Sequence, residues 1–200
     1  MIPVSLKNLI DHLAKLPGLG QRSATRLAFY LLNQSEKDLA ALVQTLKELK
    51  IKTKVCRQCF NLTGGADFCA ICLDRKRQQN LICVVEDILD IIPIERTRQF
   101  GGVYHVLAGL IAPTEGIMPD KLHIKELLAR VKRLTDKKIS VEIILALNPT
   151  TEGDTTALYL ERQLKLFSVK ITKLNRGLAT GSDLEYADET TLTNAIKFRH

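Results

Sequence analysis

Four cysteines in this chain have the spacing of a metal site. Cys56 and Cys59 form one C-x-x-C pair, and Cys69 and Cys72 form a second pair after nine intervening residues. Each pair turns two sulfurs toward one point, and two pairs supply the four thiolates that Zn²⁺ prefers. Because four protein ligands leave no open coordination position, the pattern predicts a structural zinc site. Cys83 lies in an apolar stretch and is interpreted as a small buried side chain.

A second candidate site is a glycine-containing turn near the N-terminus. Residues 16–20 read Leu-Pro-Gly-Leu-Gly, so Gly18 and Gly20 let the backbone turn sharply and expose its N–H groups. A helix begins there, and its free N–H groups and dipole favour an anion. Arg22 and Arg26, one helical turn apart, could bind neighbouring phosphates. The segment predicts a helix-hairpin-helix DNA-binding motif; the alternative is a joint between two helices without a ligand.

Acidic residues form a third candidate site. Glu86 follows one predicted strand, and Glu152 and Asp154 follow another. Ligand sites form at the carboxyl edge of parallel sheets, and three carboxylates there could hold Mg²⁺. The alternative is that Glu152 and Asp154 cap the following helix. No Tyr, Ser or Cys nucleophile stands beside a base and no G-x-x-x-x-G-K-[ST] loop is present, which makes a catalytic site the weaker interpretation.

Charge is unevenly distributed along the 200 residues. Residues 1–80 hold 13 Lys and Arg against 6 Asp and Glu, whereas residues 81–200 hold 16 of each, so the whole formal excess of +7 lies in the first 80. A basic segment suggests a polyanion partner, although a solvated basic face is the alternative. No stretch approaches the ~20 apolar residues of a membrane span, and the N-terminus lacks an apolar signal core. We therefore expect a cytoplasmic protein.

The elements that must position these residues follow from apolar periodicity. Three helices are predicted before the cysteines, the first capped by Ser5, the second beginning near Gln21 and the third capped by Ser35. Strands are predicted at 81–85, 103–107, 141–147 and 169–174, and helices at 88–94, 122–134, 156–167 and 189–198. Alternating strands and helices predict βαβ units and a mostly parallel sheet, that is, an α/β fold.

These pieces together resemble the bacterial recombination mediator family RecR, nearly end to end. The matching segments are 16–20 with 26–29, the four cysteines, 82–87, 104–113, the Asn-Pro-Thr-Thr-Glu-Gly-Asp-Thr-Thr-Ala-Leu-Tyr-Leu stretch at 148–160, 176–178 and 183–188. The resemblance implies four parts. They are a helix-hairpin-helix region for DNA binding and oligomerisation (1–53), a four-cysteine zinc finger (54–78), a Toprim domain (79–174) and a C-terminal helical segment that contributes oligomer contacts (175–200).

The resemblance also implies a function. Members of the family are non-enzymatic mediators that act with RecO, and in many bacteria RecF, to load RecA onto SSB-covered single-stranded DNA at gaps. They form dimers or ring tetramers that can surround duplex DNA in the nucleoid. The acids Glu86, Glu152 and Asp154 would then serve as a partner surface, notably toward RecO. The closed zinc site would fix the basic hairpin relative to the sheet domain.

The chain departs from the family pattern at three places. Residues 177–182 read Gly-Leu-Ala-Thr-Gly-Ser and lack the usual proline and paired glycines, and Gln21 takes a position that is usually basic, with Arg22 carrying the charge. Glu152-Gly153-Asp154 replaces an Asp-x-Asp, which supports a non-catalytic role. Two other hypotheses remain open: a metal-dependent Toprim nuclease or nucleotidyl transferase, and a zinc-stabilised scaffold that binds only protein.

Overall fold

The computed structural model describes residues 2–175, 177, 178, 181 and 183–197. The chain divides into two compact units, Met1–Thr53 and Lys54–His200. Within the described residues, no helix is both long enough and apolar enough to cross a membrane.

The first unit consists of three helices, α1 (Val4–Leu13), α2 (Gln21–Leu32) and α3 (Glu36–Lys52). Helices α1 and α2 pack through a small core made by Leu6, Ile10, Ala24 and Ala28, in which the two alanines allow close approach. Ser35 caps α3 as predicted, since its side chain accepts a hydrogen bond from the Asp38 N–H at 3.2 Å.

The predicted cap of α1 is wrong. Lys7 N–H donates to the Pro3 carbonyl at 3.0 Å, so the first helical turn is already closed around Ser5. Proline suits this start because its fixed φ, here −56°, is compatible with the extended conformation that precedes a helix. Ser5 therefore lies inside the helix.

The second unit begins with the cysteine module, residues 54–78. A short antiparallel hairpin of β1 (Lys54–Val55) and β2 (Leu62–Thr63) is followed by one helical turn, α4 (Ala70–Leu73). The remaining elements are β3 (Gln78–Val85), α5 (Ile91–Arg96), β4 (Gly102–Val106), α6 (Ile124–Thr135), β5 (Val141–Ala146), α7 (Thr151–Leu164), β6 (Val169–Lys173) and α8 (Glu189–Lys197).

Strands β3 to β6 form one parallel sheet in the order β4-β3-β5-β6, which confirms the predicted α/β class. Strand β3 lies centrally, with Cys83 paired to Tyr104 of β4 and to Ile144 of β5. One face of the sheet packs against α6 and α7 through a large aliphatic core. The other face, which includes Cys83, packs against α5. Cys83 is 2% exposed, as predicted for a small buried side chain.

One helix boundary near a functional segment differs from the prediction, and the end of another helix lies outside the described residues. Helix α7 begins at Thr151, five residues before the predicted start, because the Thr150 side chain caps it by accepting from the Gly153 N–H at 3.1 Å. Helix α8 is described as far as Lys197, and Phe198 lies outside the described residues. Of the divergent segment 177–182, Ala179, Thr180 and Ser182 also lie outside them.

Candidate metal centre and anion-binding turn

The four cysteines converge as their spacing predicts. The Sγ atoms of Cys56, Cys59, Cys69 and Cys72 all lie within 4.8 Å of one another, and those of Cys59 and Cys69 are 3.5 Å apart. The sulfurs of a tetrahedral site with Zn–S bonds of about 2.3 Å are about 3.8 Å apart, so this donor set fits a closed four-thiolate centre. Across the described ranges it is the one group of three or more His, Cys, Asp or Glu gathered in this way.

Local backbone geometry forms each half of the centre. In the first half the Cys56 N–H donates to the Asn61 carbonyl at 2.7 Å, and the Phe60 N–H donates to the Cys56 carbonyl at 3.0 Å. Phe60 closes this knuckle with a left-handed φ of 64°, uncommon for a non-glycine residue. In the second half Cys69 is the N-cap of α4, whose single turn carries Cys72.

Repulsion between the cysteine thiolates explains why this cluster favours a bound metal ion. Hydrogen bonds with Cys69 and then Cys72, followed by burial, raise the pKa of the Cys59 thiol. Four adjacent thiolates without a cation would repel one another in a buried site. A bound dication would relieve that repulsion and keep the cysteines in the thiolate form, which would couple metal binding to folding of the module.

The cysteine module covers the open edge of β4. The Val106 N–H donates to the Cys59 carbonyl at 2.9 Å. The Phe60 ring stacks on His123 with centroids 3.7 Å apart and planes at 13°, and His123 Nδ1 donates to the Val106 carbonyl at 3.0 Å. Because β4 is an edge strand of the sheet, these two hydrogen bonds satisfy backbone groups of Val106 that would otherwise stay unpaired.

Two buried polar side chains in this region were not predicted. His105 donates from Nε2 to the His123 carbonyl at 2.7 Å, and burial lowers its pKa to about 3, so the imidazole is neutral. Arg130 is 4% exposed and lies on the apolar face of α6, between Leu127 and Val131. A single arginine on an otherwise apolar helix face is the signal that could have identified it.

The connection between α1 and α2 has the geometry that the sequence indicated. The Leu19 N–H donates to the Leu16 carbonyl at 3.1 Å, with Pro17 next and Gly18 at φ 78°, which is a type II turn. Gly20 is the N-cap of α2 and has no side chain to accept from the first N–H groups of that helix. Those donors are therefore available to an anion.

Two cations accompany this turn. Arg22 and Arg26 both lie exposed on α2, one helical turn apart. The structure thus brings Gly20, Arg22 and Arg26 together at one helix terminus.

The acidic residues are arranged differently from a metal site. Glu86 follows β3 and accepts a hydrogen bond from Asn148 Nδ2, which follows the neighbouring β5, at 2.8 Å. Glu152 and Asp154 lie in the first turn of α7, which Thr150 caps, so neither acid is the cap. The three carboxylates do not form a metal-ligand group among the residues described.

Glycine is required between these two acids. A Cβ at Gly153 would overlap the Asn148 carbonyl, so glycine lets the start of α7 pack against the chain leaving β5. The acids that follow Glu86 have a local role as well. Asp87 accepts from the Leu89 N–H and Asp90 accepts from the Asp87 N–H, both at 2.9 Å, and together they form a capping box before α5.

The architecture defines a class of protein: a Toprim protein with a four-cysteine metal module and a separate helix-hairpin-helix. The family models agree, since the Toprim domain matches residues 80–175, the RecR helix-hairpin-helix matches 6–50 and the RecR C-terminal region matches 177–200. This chain, which is 46–49% identical to RecR proteins over its whole length, belongs to the RecR family.

Similarity to individual relatives extends over the whole chain. It is 46% identical to recombination protein RecR of Myxococcus xanthus over 199 residues, which is 100% of this chain and 98% of that protein. It is 49% identical to recombination protein RecR of Chloroflexus aurantiacus over 199 residues, covering 100% and 95% of the two chains. The corresponding protein of Gloeobacter violaceus is 48% identical over 194 residues, covering 97% and 96%.

Proposed function

We propose that this chain is a non-enzymatic, DNA-binding mediator of recombination and DNA repair. Its relatives are named recombination proteins, and the single structural observation that best supports DNA binding is Gly20. This residue has an ordinary φ of −78°, and a Cβ added to it would meet no atom within 4 Å. Neither backbone conformation nor packing within the described residues requires glycine there. Close approach of a phosphate to the N-terminus of α2, in contrast, requires a residue without a side chain at this position.

The finer function that we propose follows the family. The protein acts with RecO, and with RecF where it is present, to load RecA onto SSB-covered single-stranded DNA at gaps. It does so in the cytoplasm, at the nucleoid, as a homo-oligomer that is a dimer or a ring tetramer. The cysteine centre holds structural Zn²⁺, and Glu86, Glu152 and Asp154 form a partner surface toward RecO.

Replacing Gly20 with alanine tests the phosphate contact. The variant should fold, losing less than about 1 kcal/mol because alanine is a poorer N-cap than glycine. Its affinity for duplex DNA should fall by roughly tenfold, or about 1.4 kcal/mol, since the added methyl group keeps a phosphate away from the helix N–H groups. Fluorescence anisotropy with labelled DNA measures this change.

Gly101→Ala is the matched control for that experiment. A Cβ at Gly101 also meets no atom within 4 Å, and this glycine lies in the other compact unit. Its DNA affinity should equal that of the wild type. If Gly20→Ala binds DNA as tightly as the control, the proposal that a phosphate binds at this helix terminus is wrong.

The alternative function is a Toprim nuclease or nucleotidyl transferase, and the placement of Glu86 at the carboxyl edge of β3 is the observation that favours it. We expect no cleavage or joining of DNA with Mg²⁺ or Mn²⁺, because the acids are not gathered as a metal-ligand group. Gel assays with Glu86→Gln, and with Asp120→Asn as an exposed acidic control, check this. Activity lost in Glu86→Gln alone would establish the enzyme.

A further inference from the structure

Arg130 is a buried cation that forms no ion pair with any residue that the structure describes. Only 4% of its surface is exposed, and its Nη1 donates to the Tyr104 carbonyl at 2.8 Å. Its Nη2 is buried and finds no hydrogen-bond partner in the described part of the chain. No carboxylate there forms an ion pair with it. A buried charge left uncompensated is strongly unfavourable, so this guanidinium calls for negative charge nearby.

The guanidinium lies beside the cysteine module. The Tyr104 carbonyl that it binds is two residues from Val106, whose N–H bonds the Cys59 carbonyl; two residues span about 7 Å of strand. Arg130 also lines a cleft of about 170 Å³ together with Gln58, which stands between two of the cysteines. Among the described residues that line this cleft there is no acid; they are Gln58, Gln79, Arg130, Arg133, Leu134 and Lys137.

The cysteine thiolates can supply the negative charge that would balance the Arg130 guanidinium. Burial lowers the pKa of Arg130, whereas Cys72, Cys59 and Cys56 act to raise it. Four thiolates and one divalent cation leave a net charge of about −2 on the centre, most of it on sulfur. A buried anionic centre and a buried, unpaired cation that adjoin the same strand edge compensate each other.

We propose that Arg130 is the counter-charge of the cysteine metal centre and that it slows loss of the metal. This role goes beyond the recombination function and rests on metal occupancy of the cysteine cluster. The arginine contributes no ligand. Its positive charge offsets the excess negative charge on the four sulfurs and so slows dissociation of the metal.

The test is the rate of zinc release from the full-length protein to a coloured chelator. Arg130→Met should release zinc at least roughly tenfold faster than the wild type, since loss of an outer partner typically weakens metal binding by about 10- to 100-fold. Arg130→Lys, which retains the charge, should remain within about threefold of the wild type. Arg162→Met, which removes an exposed arginine of α7 that does not line the cleft, should match the wild type. Equal rates for Arg130→Met and Arg130→Lys would overturn the proposal.

A spectroscopic measurement separates charge from packing. With Co²⁺ in place of zinc, the sulfur-to-metal charge-transfer band should move to lower energy in Arg130→Met but not in Arg130→Lys, because uncompensated thiolates donate electrons more readily. Arg130→Gln retains a donor toward Tyr104 without the charge, and it must behave like Arg130→Met. If Arg130→Gln behaves like the wild type, the arginine acts only through its hydrogen bond. A wild-type protein purified without metal would instead refute metal occupancy itself.

Discussion

Replacing Cys56 and Cys59 with serine is expected to abolish zinc binding and to unfold the cysteine module, because the role of the metal is structural. Two of the four ligands are lost, and the remaining pair cannot form a closed tetrahedral site. Structural zinc contributes about 10–16 kcal/mol in isolated fingers, which is comparable to the ~5–15 kcal/mol total stability of a typical domain. We expect at least about 4 kcal/mol of destabilisation, or roughly 8–16 °C in Tm.

The damage should extend into the sheet. The Cys59 carbonyl accepts from the Val106 N–H, and the Phe60 ring stacks on His123, so an unfolded module uncovers the edge of β4. An uncovered edge strand exchanges its amide hydrogens faster and promotes aggregation. Zinc content measures the loss of the metal, thermal unfolding measures the loss of stability, and hydrogen exchange across residues 102–106 measures the exposure of β4.

Cys83→Ala is the control for the cysteine experiment. Cys83 is buried in β3 but is outside the metal cluster. This variant should retain one zinc per chain and lose only about 1–2 kcal/mol, the usual effect of a small core truncation. A Cys56→Ser, Cys59→Ser protein that stays folded without zinc and keeps β4 protected would contradict the structural role of the centre.

Replacing both Arg22 and Arg26 with alanine is expected to weaken DNA binding by at least tenfold at about 50 mM salt, with little effect on folding. Both side chains are exposed on α2, so the free energy of unfolding should change by less than about 0.5 kcal/mol. Each lost phosphate contact reduces the slope of log affinity against log salt by about 0.9 on duplex DNA. The double variant should therefore have a slope about 1.8 units shallower.

A charge-matched control distinguishes the hairpin from general basicity. Lys47→Ala with Lys50→Ala removes the same charge from exposed positions of α3 in the same unit. This control should weaken binding less than the arginine pair does. If the arginine variant binds duplex and gapped DNA like the wild type, the hairpin assignment is wrong. If the wild type has no salt-sensitive affinity for DNA, a protein-binding scaffold becomes the better hypothesis.

Local chemistry explains why much of the molecule could be predicted from its sequence. The two C-x-x-C pairs encode convergent sulfurs, and Pro17-Gly18 encodes a type II turn, because in both cases neighbouring residues determine the geometry. Apolar runs likewise predicted the strands of the parallel sheet, since strands buried on both faces must be continuously apolar. The start of α7 was missed because a single capping side chain, Thr150, decides it.

Contacts between distant segments could not be predicted, because they depend on strand order and on which edge stays open. The sequence by itself determined the metal-ligand set, the basic turn and the alternation of strands and helices. Only the tertiary structure decided that the cysteine module covers β4, that Glu86 meets Asn148, and that Arg130 lies buried in a cleft that Gln58 of the cysteine module also lines. The physical reason is that spacing along the chain specifies local geometry, whereas burial of a charge or an edge depends on what packs against it.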